Sequence, residues 1–286
     1  MKTIYKLLGL SGILCGSFLS GASVESSVTQ MDTAGNSCDV ETASFQAGES
    51  LTYKVYYNAG PMWITAGEMY FKLQNENYNG KDVYHGIAEA VTYKSFDWVF
   101  KVRDKMETWM DVNTLQSTKF TRDVYEGGYT FYRSYDWNRS TNVIKSYYKN
   151  RKSGIERTTT MKDVNPCAVD LLSSFYWARS IDFSKYKPGD KIALSLAVDD
   201  EEYNLYIRYE GKEEYKTKLG TFNCFKVKPL LVEGAVFHSG EGMTIWVTDD
   251  ENRIPVRIES KVLVGRITAD LKSYAGLKHP FASKVK

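Results

Sequence analysis

WVTDDENRIPVRIESKVLVGRITADL, Trp246 to Leu271, sets three consecutive acids and an arginine inside a run that otherwise alternates apolar and polar residues. Ile245 and Val247 alternate before the acids, and Ile254, Val256 and Ile258 alternate after them, so Asp249, Asp250, Glu251 and Arg253 fall in the connection between two strands. Asp and Asn suit such a connection because their side chains bond nearby backbone groups. Pro255 lacks an amide donor, which places it at a sheet edge or at the first part of a strand. The acids therefore read as the polar turn of a hairpin rather than as a metal or catalytic cluster, and the stretch decides for an antiparallel β fold.

The same period of two runs through most of the chain. Tyr129, Phe131, Arg133, Tyr135 and Trp137 share one face of YTFYRSYDW; Ile192, Leu194, Leu196 and Val198 share one face of KIALSLAV; Tyr203, Leu205, Ile207 and Tyr209 share one face of YNLYIRY. Phe96, Trp98, Phe100 and Val102 alternate likewise in SFDWVFKV. Turn formers separate these runs: Asn79-Gly80, Gly127-Gly128, Lys152-Ser153-Gly154, Asp199-Asp200 and Glu210-Gly211. One segment differs. In CAVDLLSSFYWARSIDFSKY, between Pro166 and Tyr186, the residues Val169, Leu172, Phe175 and Tyr176 have helical spacing, with Asp170 near the start and Arg179 near the end, where the helix dipole favours those charges. The expected fold class is all-β with one main helix: a strongly curved antiparallel meander sheet, an open barrel or β-roll, because so many strands cannot stay flat. An outer-membrane barrel is also a meander of alternating strands, but a mid-chain helix and charges on both faces of many strands weigh against it.

Residues 1–22 read as a cleaved signal peptide: Lys2 and Lys6, then an apolar core, then small residues at Ser20 to Ser23. Cys15 raises lipidation as the alternative processing, although Leu14 stands where a small residue is usual. Residues 23–43 form a polar, flexible leader, 44–276 a single β domain, and 277–286 a C-terminal tail. Removing the signal leaves 35 basic and 35 acidic residues. Neutrality argues against a sequence-independent nucleic-acid binder, and no transmembrane segment is expected in the mature chain. Export implies an oxidising compartment, the periplasm or the periplasmic face of the outer membrane. Three cysteines then allow three single pairings; Cys38 with Cys167 is preferred, because Cys224 in TFNCFKV reads as a buried thiol on a strand.

Motifs for catalysis are not found. The histidines His85, His238 and His279 are isolated, so there is no local zinc spacing; Gly-x-Ser-x-Gly and phosphate-cradling glycine loops are missing. No catalytic residue, metal ligand or cofactor is assigned. The acids Asp199, Asp200, Glu201 and Glu202 fall at a turn and are expected to be solvated. Aromatic residues make up 14% of the chain, which suits a β core. If instead a concave face holds a ligand, Trp98, Phe100, Phe131 and Tyr135 are its expected lining.

The pieces GESLTYKVYYNAGPMWITAGEMYFKL, VRDKMETWMD, CAVDLLSSFYWAR, YKPGDKIALSL, KTKLGTFNCFKVKP and IWVTDDENRIPVRIE, followed by VGRITADL, together resemble an exported bacterial family of domains of unknown function, DUF3108-like. The resemblance runs from about Gly48 to Leu271 and implies an exported all-β domain without catalytic residues to transfer. The order Trp246, Asp249, Pro255, Arg257 is also similar to the close of periplasmic lipoprotein-carrier half-barrels, which implies acyl-chain binding with a helix as lid. Fold likeness does not fix function. The functional expectation is a non-enzymatic exported cell-envelope protein binding a lipid or other amphipathic ligand, or an envelope partner, on a concave sheet face. A glycan-binding or structural envelope module and a glycan-acting enzyme are the alternatives.

Overall fold

The computed structural model describes residues 38, 43–231, 240–262 and 264–285. The signal segment with Cys15, nearly all of the leader, and His238 with Ser239 lie outside the described residues. Eight strands form the first arm of one antiparallel sheet: β1 (Ser50–Ala59), β2 (Met62–Tyr78), β3 (Lys81–Thr92), β4 (Arg103–Asp111), β5 (Ser117–Glu126), β6 (Tyr129–Asn138), β7 (Val143–Asn150) and β8 (Glu156–Met161). A crossover then leads to the second arm: β9 (Lys191–Val198), β10 (Glu201–Thr217), β11 (Gly220–Pro229), β12 (Met243–Thr248), β13 (Pro255–Lys261) and β14 (Arg266–Ala275). Strand β14 pairs with β1, which joins the arms, and the short β15 (Lys284–Val285) pairs with β11. The free edges are β8 and β9, consecutive in sequence; no pairing joins them among the described residues, so the sheet is not closed.

Two helices interrupt the strands. The helix α1 (Lys94–Phe100) replaces the strand expected over Phe96, Trp98 and Phe100. The reason is an ambiguity of period: residues four apart share a face in a helix as well as in a strand. Phe96 and Phe100 are accordingly both buried, while Trp98, which a strand would have turned the same way, is 84% exposed. A second correction concerns Glu210-Gly211, expected as a turn. Strand β10 runs straight through it, and Gly211, at φ 114°, absorbs a bulge where the register against β11 shifts.

The helix α2 (Leu171–Arg179) occupies the middle of the segment expected to be helical. Asp170 caps it, accepting from the amides of Leu172 and Ser173, while the Ser173 hydroxyl accepts from the Asp170 amide. The other oxygen of the Asp170 carboxyl accepts from Thr108 on β4 and Ser117 on β5, so the cap also fastens the helix to the sheet. The apolar stripe packs inward: Phe175 stacks on Phe71 at 4.5 Å, and the Tyr176 ring lies over Gly86, where any Cβ would come within 2.9 Å of it. Just before α2, Val169 bridges to Leu196 and covers part of the β9 edge.

The opening stretch forms a knot. Asp250 accepts from Thr248, from the amides of Asn252 and Arg253, and from the Ser283 amide. Asn252, fully buried, donates to the carbonyls of His279 and Pro280, and its own carbonyl accepts from Arg179. Arg179 ends α2 and reaches Glu49 with both guanidinium forks, at 2.6 and 2.8 Å. Arg253 donates to Ser44. The turn thus ties the chain before β1, the helix and the C-terminal residues together, and residues expected as a tail are drawn into the fold as far as Val285.

Cys38 and Cys167 form a disulfide with Cα atoms 5.1 Å apart, and Cys224 is a buried free thiol whose pKa burial pushes up to about 12. The bridge links positions 129 residues apart. Cys38→Ser is expected to lower the unfolding free energy by about 2–4 kcal/mol in denaturant titration, through the freer unfolded chain. Glu49→Gln strands the Arg179 charge in the interior, and an unfolding loss of about 3–5 kcal/mol is expected by the same measurement.

Candidate functional site

Alternation along β5 and β6 turns Phe120, Arg122 and Val124, and Phe131, Arg133 and Tyr135, to the concave face. Two arginines on an apolar face need partners, since an uncompensated buried charge is costly. The β9–β10 turn brings them. Asp199 and Asp200, at φ 52° and 70°, make the tight two-residue turn whose left-handed residues aspartate tolerates. This turn folds inward. Arg133 donates to Asp200 at 2.6 Å, Arg157 donates to its other oxygen at 3.1 Å, and the Asp200 amide donates to the Tyr135 hydroxyl. Asp199 stands 3.5 Å from Arg133 and 4.0 Å from Arg122. The guanidinium groups of Arg122 and Arg133 lie against the rings of Phe131 and Tyr148, at 4.9 and 5.1 Å.

These contacts correct the reading of Asp199 and Asp200 as simply solvated acids. They clasp the hairpin of the second arm onto β6, β7 and β8 of the first. Beside them, Asp104 and Glu126 make a carboxyl pair near Arg122. Burial, and then the Glu126 charge, holds the Asp104 carboxyl well above the usual range; burial also raises Glu126, against the pull of Arg122. Asp104 accepts from the Tyr125 amide at 3.0 Å.

The four aromatic residues expected to line a cavity do not meet around one. Phe131 lies under Arg122, Tyr135 bonds the clasp, and Phe100 packs on Gly127, all in the concave interior. Trp98 stands outside on α1. His85 stacks on Trp109 at 4.4 Å, and His279 pairs with Glu251 at 2.9 Å. Among the described residues, no group of three or more His, Cys, Asp or Glu is placed to hold a metal, and no helix is long and apolar enough to cross a membrane.

The outward positions of the same strands build a groove that the sequence reading missed. It has a volume of about 450 Å³, is open to solvent, and runs across β3 to β6. Lys101, Arg103, Lys105 and Arg151 line it together with Tyr125, Val91, Thr130 and the acids Glu89, Asp104 and Asp123. Lys101 sits 5.2 Å over the Tyr125 ring. Arg103 pairs with Asp97 at 2.7 Å, Lys105 with Glu107 at 3.0 Å and Arg151 with Asp123 at 2.5 Å. Exposed pairs of this kind contribute at most about 1 kcal/mol, so an incoming anion competes for these cations on near-equal terms. The groove can therefore hold a negatively charged group beside an aromatic ring. The only sequence signal for it was the positive charge at the outward positions Arg103 and Lys105 and at the adjoining Lys101 and Arg151.

The raised Asp104 carboxyl predicts a pH dependence. Below the unfolded carboxyl range both states keep the proton; as pH rises, the unfolded chain gives it up first, so stability falls until the folded pKa is passed. Asp104→Asn removes that loss. Urea unfolding is expected to show the variant more stable than the wild type near about pH 7 and not near about pH 3.

The family model described as a protein of unknown function, DUF3108, matches residues 52–272. No curated protein matches the chain. Among solved structures, a beta-barrel-like protein of the domain of unknown function DUF1849 from Brucella abortus is similar at 11% identity, with a TM-score of 0.54, covering 82% of this chain and 100% of that one. At that identity the likeness is one of fold, and it agrees with the curled, unclosed sheet. The match over 52–272 spans most of the 286 residues, and the chain belongs to the DUF3108 family.

Proposed function

We propose that this is a non-enzymatic, exported cell-envelope protein that binds an amphipathic ligand, with the ligand's anionic head group seated in the groove across β3 to β6. The observation that carries the reading is the groove itself: four cations and the Tyr125 ring, against the three acids Glu89, Asp104 and Asp123, around about 450 Å³ of open space. The concave face, where a ligand was first expected, is taken up along α2 by Phe71, Phe175 and Tyr176 and beyond it by the Arg133–Asp200 clasp. That favours the outer face for binding. A catalytic reading finds less support, because the Asp104–Glu126 pair is turned inward and Asp104 is nearly inaccessible. Export is favoured by the signal-like first 22 residues and by the Cys38–Cys167 bridge, which an oxidising compartment would maintain.

Native mass spectrometry of the protein extracted gently from its own host is expected to show a bound anionic amphiphile. Lys101→Met with Lys105→Met should remove it while leaving the folded charge-state distribution intact. Apo protein throughout, or an amphiphile retained by the double variant, sinks the groove reading.

A further inference from the structure

In an antiparallel meander, alternate connections lie on the same margin of the sheet. With the end of β1 taken as the upper margin, the β1–β2, β3–β4, β5–β6, β7–β8, β9–β10 and β13–β14 connections are among the upper ones. The large apolar side chains that stay exposed are not spread evenly over the two margins. Met62 and Trp63 begin β2, and Trp98 stands on α1 in the β3–β4 connection. Tyr125 and Tyr129 flank the β5–β6 turn, Ile155 ends the β7–β8 loop, and Val264 sits in the β13–β14 turn. Among the described residues, only Tyr274 of this class lies at the lower margin. Because the sheet curls, this margin is the rim of one mouth.

The rim is built rather than loose. The Trp98 indole donates to the Ser95 carbonyl at 2.9 Å, which holds the ring outward. The Tyr57 hydroxyl donates to the Val264 carbonyl, and Gly265 lies so close to Asn58 that a Cβ would come within 2.0 Å of its carbonyl oxygen. The β13–β14 turn is thereby pinned beside the β1–β2 hairpin. Trp63 and Arg266 lie on either side of Asn58 in the register. Cations stand at both margins, with the exposed Lys81, Lys162, Lys187, Lys218 and Lys278 at the lower one. The exposed Lys94, Lys101, Arg151 and Lys152 stand in the upper connections, where Asp97 is engaged by Arg103 and Glu241 by Arg208. The acids of the β9–β10 turn are folded inward onto Arg133, whereas Asp249, Asp250 and Glu251 lie at the lower margin.

Tryptophan and apolar tips ringed by lysine and arginine match the chemistry of a bilayer surface. The rings settle at head-group level, and each nearby cation is attracted to anionic lipid. We propose that this rim docks the protein onto a membrane containing anionic lipid, with Trp63 and Trp98 inserted at the interface. The rim adjoins the groove and shares Lys101, Tyr125 and Arg151 with it; the groove accounts for one head group, and Trp63 and Trp98, which lie outside it, for attachment to a surface.

Flotation with vesicles of phosphatidylethanolamine and phosphatidylglycerol tests this. Wild-type protein is expected to float with them at low salt, to release as salt rises, and to show tryptophan quenching by acyl-brominated lipid. Trp63→Ser with Trp98→Ser should weaken flotation at least about tenfold, while Tyr274→Ser should leave it unchanged. Both tryptophans are more than half exposed, so the folded circular dichroism spectrum should be retained. Loss of flotation in the tryptophan variant with its groove ligand retained separates the rim from the groove. An absence of flotation at low salt overturns the proposal. So does flotation that survives the double substitution, or a rim that binds an envelope protein and no vesicle.

Discussion

A meander with two free edges has to be held in its curl by contacts other than strand pairing, and here the central one is the buried fork of Arg179 on Glu49. The guanidinium is 1% exposed and its partner 3%, so neither charge has water to fall back on. The pair joins the end of α2 to the residue just before β1, the strand where the two arms meet. The Asn252 carbonyl completes the coordination from the β12–β13 turn. One side chain thereby fixes the crossover relative to the middle of the sheet and to the second arm. The clasp of Asp200 by Arg133 and Arg157 does the corresponding task nearer the free edges.

Those two fastenings explain why ionic groups sit on the concave face. A β core filled only by apolar residues can pack in several registers, whereas a forked guanidinium accepts its carboxylate in few geometries. The apolar part of the interior is supplied by α2 and the aromatic residues around it. The Asp104–Glu126 pair lies at the end of this interior, close to Arg122.

Much of this was legible in the sequence because one face of nearly every strand is buried, and burial writes a period of two. The helix α2 was legible through Asp170 and its stripe. The helix α1 was not, since Phe96 and Phe100 satisfy both periods and only the exposure of Trp98 separates them. Gly211 was misread because a glycine at positive φ serves a bulge as well as a turn. The arginines of the clasp left a visible trace: Arg133 is in phase with Phe131 and Tyr135, so alternation already placed a charge on the apolar face. Its partner could not be read, because Asp200 is 67 residues away and belongs to the other arm. The groove was hidden for a related reason, as it is made from outward residues of strands whose registers fix their neighbours.

The two margins carry different duties, and the difference follows from where the chain crosses over. Strand β8 ends and β9 begins at the lower margin, so the crossover, its α2 cap and Cys167 all gather there. Gln116 and Arg139, from lower connections of the first arm, donate to the Pro166 carbonyl, and Arg139 also to that of Ala168. The Asp250–Asn252 knot and residues 279–283 lie at the same margin. The upper connections of the first arm are held chiefly by α1, whose Phe96 and Phe100 are buried, and by the Gly127 amide on the Lys101 carbonyl. Exposed Met62, Trp63 and Trp98 in such connections cost the fold little if they stay in water, and beyond the Trp63 contact with Tyr56 and the Trp98 bond to Ser95 they add little to it. Their placement on one rim, beside cations whose competing acids are engaged or folded inward, is accounted for by a surface outside the molecule and not by the packing within it.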